Sequence, residues 1–149
     1  GVTAQPTVTG SCLCGAVRFR GVLPPKWVAH CHCSMCRRAH GAGFVTWVGF
    51  DRTALTIESG SETLTRFRSS ALATRSFCSH CGSMIFFESG HWPGEIHVTL
   101  ASLDPAEGLE PQAHSYWSSR VSWADWSGRE LPTFDPPDHG ADSQGGQPT

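Results

Sequence analysis

Apolar residues along this chain come in short runs, not in long periodic stretches. Ala16–Val22 (AVRFRGV) alternates apolar and polar positions as a half-buried strand does, and Gly43–Phe50 (GFVTWVGF) is dense in aromatic and β-branched residues. Leu55–Glu58 and Glu62–Arg68 flank Ser59-Gly60-Ser61, a spacing that predicts a hairpin. Thr74–Phe77, Ser83–Glu88 and Ile96–Leu100 complete the expected strands, and only Ser34–His40 and Pro105–Gly108 fit single helical turns. From Asp135 onward (DPPDHGADSQGGQPT) no large apolar residue remains, so residues 135–149 read as a disordered tail that cannot offset its ordering entropy. The pattern predicts one mainly antiparallel, all-β domain over residues 1–134.

Composition narrows the function classes. At 149 residues with 39% hydrophobic and 16% charged positions, the chain is one ordinary globular domain. Eleven Lys plus Arg against thirteen Asp plus Glu give a net charge of −2, without the basic footprint that nucleic acid or an anionic membrane requires. No apolar run approaches the roughly 18–20 residues of a membrane span. Gly1–Gly10 shows neither the basic nor the apolar region of a secretion signal, so a cytoplasmic location is expected.

Cysteine is the informative count. Seven cysteines, at 12, 14, 31, 33, 36, 78 and 81, fall into three tight clusters. An odd number in so few places does not suit a disulfide framework, and residues two apart are poorly placed to bridge each other. Close thiols do suit a metal that gathers them around one point, and zinc takes four such ligands in a tetrahedron. Cys78-Ser-His-Cys81-Gly82 has the form of a zinc knuckle, which supplies two ligands and needs two more. Joining Cys12 and Cys14 to Cys78 and Cys81 makes a closed structural site, and leaves Cys31, Cys33 and Cys36 as a second site with three sulfurs and an open position, the pattern of catalytic zinc. Pairing Cys12 and Cys14 with two of the central three instead would strand one thiol and isolate the knuckle. His30, His32 and His40 lie near enough in sequence to complete the second site, although His32, between two ligands, is expected to point away. Arg37 and Arg38 directly follow the three-cysteine cluster, where they either attract an anionic ligand or form a solvated face. Of six tryptophans, most are expected in the core, with one or two walling a pocket beside the second metal.

Taken together, Gly10-Ser-Cys-Leu-Cys-Gly15, Cys31-His-Cys-Ser-Met-Cys-Arg-Arg-Ala-His-Gly41 and Phe77-Cys-Ser-His-Cys-Gly-Ser83 resemble the glutathione-dependent formaldehyde-activating enzyme family, also called the GFA or centromere protein V domain. Trp47, Leu55–Gly60 (LTIESG), His114–Trp123 and Leu131-Pro-Thr-Phe134 fit the same pattern, so the resemblance spans about residues 8–134. It implies an Mss4-like fold of short antiparallel sheets and two zinc ions, a structural one on Cys12, Cys14, Cys78 and Cys81 and a functional one on Cys31, Cys33 and Cys36. It further implies a carbon–sulfur lyase that joins glutathione to formaldehyde as S-hydroxymethylglutathione, for which Arg37 and Arg38, by their position beside the cluster, are the candidate glutathione contacts. The expected partners are a small thiol and a carbonyl or thioether compound. Chemically, the open site would hold an incoming thiol as thiolate for attack on a carbonyl carbon. His32, His40 and Glu88 are proximity candidates for moving the proton. The rival reading is a non-catalytic zinc module that carries glutathione or binds a protein partner.

Overall fold

The computed structural model describes residues 5–135. Its strands are β1 (Thr7–Ser11), β2 (Arg18–Val22), β3 (Trp27–Cys31), β4 (Val45–Asp51), β5 (Leu55–Ser59), β6 (Leu64–Arg68), β7 (Ala73–Cys78), β8 (Met84–Ser89), β9 (Glu95–Thr99) and β10 (Ala113–Ser115), with one helix, α1 (Ser34–His40), between β3 and β4. They form a three-stranded sheet ordered β1-β2-β5 and a seven-stranded sheet ordered β10-β3-β4-β9-β8-β7-β6. Every strand pair is antiparallel except β10 with β3. This is the all-β, Mss4-like arrangement of short sheets that the sequence led us to expect.

Side chains alternate across each strand, so the seven-stranded sheet sorts its residues into two faces. On the back face Val28, Val48, Val98 and Phe86 stand in cross-strand register. They pack with Val8, Val17 and Phe19 of the small sheet and its entry loop into the main core. Phe19 and Phe86 meet edge to face, ring centroids 5.1 Å apart, across the two layers. On the front face a second register row runs Trp27, Gly49, His97, Phe87, Arg75 across five strands. That row is the floor of the functional region.

Several sequence expectations change. Leu55–Ser59 and Leu64–Arg68 do not form a hairpin: β5 pairs with β2 and β6 with β7, in different sheets. Gly60 lies so close to the loop before β2 that a Cβ there would sit 2.1 Å from the Ala16 carbonyl oxygen, and Ser61–Thr63 coil into a 3-10 turn that redirects the chain. The segment is a crossover between sheets. Pro105–Gly108 is not helical, with a turn only at Glu107–Gly108. Strands β1, β3 and β10 were not apparent in the pattern. β10 owes its place to partners distant in sequence, with Gln112 N–H donating to the Val28 carbonyl and His32 N–H to that of Ser115. The expected tail lies, beyond Asp135, outside the described residues. Among those residues no helix is long and apolar enough to cross a membrane.

Candidate functional site

The cysteines gather into two clusters. Cys12, Cys14, Cys78 and Cys81 bring their four sulfurs within 4.8 Å of one another. The Sγ atoms of Cys12 and Cys14 are 3.6 Å apart and those of Cys14 and Cys78 are 3.9 Å apart. A tetrahedron of about 2.3 Å zinc–sulfur bonds has edges of about 3.8 Å, so the four thiols fit the ion. Two matching loops supply them, each followed by a glycine with positive φ, Gly15 at +81° and Gly82 at +79°. The turns also aim N–H groups at sulfur and carbonyl: Val17 N–H meets Cys12 Sγ at 3.3 Å and Gly82 N–H the Cys78 carbonyl at 2.7 Å. Cys12 and Cys78 are buried, and none of the four lines the cavity described next.

Cys31, Cys33 and Cys36 likewise converge within 4.8 Å. Cys31 ends β3, and the chain turns at once into α1, whose N-cap is Cys33: its sulfur accepts the N–H of Cys36 at 3.3 Å. One short strand-to-helix corner therefore sets all three. Sulfurs this close cannot all ionise unaided. Donation from Cys31 holds Cys33 down to about 2, while that same hydrogen bond pushes Cys31 far above the usual thiol range. A divalent cation removes the conflict by neutralising the thiolates together. No histidine nitrogen among the described residues completes this group at the same spacing.

All three sulfurs line a cavity of about 410 Å³ on the front face of the large sheet. Trp27, Trp47 and Trp92 wall it, three of the six tryptophans where one or two were expected. Arg75, which the sequence reading did not single out, is 4% exposed in this wall. Both terminal nitrogens lie 3.7 Å from Cys36 Sγ, and the guanidinium carbon sits 4.9 Å from the centre of the Phe87 ring. No carboxylate pairs with it among the described residues, and its terminal nitrogens are directed at the sulfur cluster instead. Only β7 alternation could have flagged Arg75, since Ala73, Arg75 and the cavity lie on one face. Ser69 also lines the cavity, its Oγ buried without a partner among the described residues. Further along the wall is His97, Nε2 2.9 Å from Glu95 Oε1, with Lys26 Nζ 3.0 Å from the other carboxylate oxygen. Burial keeps His97 below the ordinary imidazole range.

The other sequence candidates stand elsewhere. His32 turns away from the sulfurs, as its position between ligands suggested, and its Nε2 meets His114 Nδ1 at 2.9 Å. His40 packs edge-on against Trp47, ring centroids 5.3 Å apart. Burial, with Arg75 nearby, pushes it down to about 4, and its Nε2 is buried without a partner. Glu88 is held by Arg52 and, at 3.2 Å, by Arg66, away from the cavity. Arg37 donates through Nε to the His32 carbonyl at 3.3 Å, Arg38 is exposed on α1, and neither lines the cavity.

Several known proteins are similar to this chain. A Halomonas elongata protein bearing the name of a glutathione-dependent formaldehyde-activating enzyme is 31% identical over 129 residues, which is 81% of this chain and 82% of its own length. A Schizosaccharomyces pombe protein named as an uncharacterized lyase is 30% identical over 83 residues, 56% of this chain and 58% of its own. The crystal structure of a Rhodobacter sphaeroides protein matches with a TM-score of 0.60 and 28% identity, covering 72% of this chain and 99% of that one. The family described as glutathione-dependent formaldehyde-activating enzyme matches over residues 7–119, a stretch that holds all seven cysteines. The chain belongs to the glutathione-dependent formaldehyde-activating enzyme family.

Proposed function

We propose that this protein is a zinc-dependent carbon–sulfur lyase that joins a thiol, glutathione in the first instance, to a small carbonyl carbon and releases it again. The observation that carries the reading is the placement of three convergent sulfurs in the wall of an apolar cavity with a buried arginine against one of them. A module that only binds a protein partner needs no such cavity beside its metal. Cys31, Cys33 and Cys36 would hold the catalytic zinc, and Cys12, Cys14, Cys78 and Cys81 the structural one. Bound at the three sulfurs, zinc supplies a centre that lowers the pKa of an incoming thiol and holds it as thiolate.

The chain's own residues set the conditions for that chemistry. Three thiolates against a dication already leave one negative charge, and a fourth adds another. The Arg75 guanidinium faces this charge at Cys36 and offsets it in a buried setting, where screening by water is weak. Trp47 and Phe87 wall the cavity beside the sulfurs, and the Phe87 ring packs on the Arg75 guanidinium. In the addition direction the S–H bond breaks, an S–C bond forms, and the carbonyl π pair moves to oxygen, which takes up one proton. In the lyase direction the same bonds change in reverse. Neither Glu88 nor His32 is placed to carry that proton, and Ser69, whose Oγ is buried without a partner among the described residues, is one of the polar residues of the cavity lining. Arg37 and Arg38, on α1 outside the wall, would act on glutathione's carboxylates only through space and at the opening.

Exchange spectroscopy on ¹³C-formaldehyde and glutathione tests the proposal. The zinc-loaded protein should accelerate exchange between hydrated formaldehyde and S-hydroxymethylglutathione beyond the spontaneous rate, and Cys33→Ser should abolish the acceleration. An unaltered exchange rate with fully zinc-loaded protein would leave the carrier reading in its place.

A further inference from the structure

The cavity is far larger than its smallest substrate needs. A one-carbon aldehyde takes little more space than a water, roughly 30 Å³, and an apolar cavity of roughly 150 Å³ already holds benzene. Here the open-mouthed cavity beside the sulfurs holds about 410 Å³. The space extends along β3: Cys31 marks one end and Trp27, four residues earlier on the same face, lies about 13 Å away at 3.3 Å per residue.

The far end is built from aromatic rings. Trp27 stands 4.5 Å from the His97 ring and edge-on to it, Phe87 5.6 Å from His97, and Trp92 5.5 Å from His97 and 6.2 Å from Phe87. Gly49 makes this grouping possible. It is the register partner of both Trp27 and His97, and a Cβ there would lie 2.3 Å from the Trp27 ring. The indole therefore lies over the glycine toward the neighbouring strand. Charge is scarce at this end. His97 is buried, its pKa lowered by that burial, and it is bonded to Glu95, while the cationic Arg75 is committed to Cys36. The carboxylates of glutathione would find no partner here, and unpaired burial of such groups is strongly unfavourable.

Resting on the thiol-at-zinc reading above, we infer that the far end receives an uncharged aromatic substituent on the carbon that sulfur joins, so that the carbonyl substrate class includes aryl and arylalkyl aldehydes. The thiol's charged arms would leave through the opening. The bond changes are those already given: an aldehyde RCHO and a thiol R′SH give the hemithioacetal RCH(OH)SR′, with the thiol proton accounted for on oxygen and no oxidant or reductant involved.

Stable thioethers test this apart from the thiol chemistry, because they cannot bind as thiolates. Calorimetric titration of the zinc-loaded protein should show S-benzylglutathione binding about tenfold or more tightly than S-methylglutathione, the margin expected for burying one ring. Trp92→Ala, at a rim residue 40% exposed, should cut that ratio below about threefold, and Trp92→Phe should retain most of it. Equal affinity of the two thioethers in the wild type overturns the inference, as does a benzyl preference that Trp92→Ala leaves intact. Glutathione itself, added to cobalt-loaded protein, reports on the other reading. Altered cobalt bands with no benzyl preference would sink the inference alone, while a Trp92-dependent benzyl preference with unaltered bands would sink the thiol-at-metal reading alone.

Discussion

The two cysteine clusters use the same ligand atom at similar spacing but are assembled in opposite ways. The closed cluster takes its sulfurs from residues 12–14 and 78–81, loops more than sixty positions apart that belong to different sheets. The open cluster takes all three from six consecutive residues at one corner between β3 and α1. Clipping a long loop removes more unfolded-state entropy than clipping a short one, and a site that exists only in the folded chain returns its metal affinity as folding free energy. Metal bound at the closed cluster would therefore stabilise the fold. At the open cluster it would cross-link nothing distant, and the three cysteines that would hold it line the cavity. On the proposed reading, zinc on thiolate would be turned to structure or to chemistry by the topology that presents its ligands.

The strongest way to break this comparison is to remove one sulfur from each side. Cys78→Ser should abolish the native fold, because structural zinc contributes on the order of 10 kcal/mol, more than a domain's net stability. Cys33→Ser should bring the zinc content from two ions toward one while far-UV and near-UV circular dichroism stay close to native. Metal analysis and circular dichroism of the two variants decide it, and equal unfolding of both would erase the distinction. Next in size is Arg75. Arg75→Gln removes the cation facing Cys36, which disfavours added negative charge at the open cluster. The pH midpoint of glutathione binding, followed through the cobalt bands, should rise by about one unit, equivalent to about 1.4 kcal/mol. Arg75→Lys should fall between, since it keeps the charge but not the two-nitrogen contact.

Acid should loosen the cavity before it loosens the closed cluster. Buried His97 has a folded-state pKa below its unfolded value, so the unfolded chain binds the extra proton first. Its contribution is fully present above the ordinary imidazole value of about 6.5 and is lost as pH falls from there toward the folded value. Glu95 opposes that loss and Lys26 adds to it. Near-UV signals of the flanking Trp27 and Trp92 should begin to change just below pH about 6.5 in the wild type and less so in His97→Gln. The smallest effect is expected from removing residues 136–149, which contain no large apolar side chain to anchor them: the melting temperature should move by no more than about 2 °C.

What could be read from the sequence follows the same division. Cluster composition was legible because knuckles are local, and so was the all-β class, because runs such as Gly43–Phe50 are dense enough in aromatic and β-branched residues on their own. Pairing was not. Ser59-Gly60-Ser61 has the look of a turn, yet its role depends on the Ala16 carbonyl that it passes, forty-odd residues earlier in the chain. Ala113–Ser115 carries no strand signal, and β3 alone makes it a strand. In the site, Arg75 was hidden among the arginines of solvated strand faces, since only the register with Phe87 and the approach of α1 show that it is buried on a sulfur. His97 was hidden for a related reason: it becomes part of the cavity only when Gly49 lets Trp27 reach it.

The central claim is that one cluster is complete and the other takes its fourth sulfur from substrate. X-ray absorption at the zinc edge counts those sulfurs directly, at about 2.3 Å from the metal. Seven cysteine sulfurs over two ions give 3.5 per zinc in the wild-type protein, and saturating glutathione should raise the average to about 4, with no oxygen or nitrogen left in the shell. An average that stays at 3.5 under saturating glutathione would contradict the account.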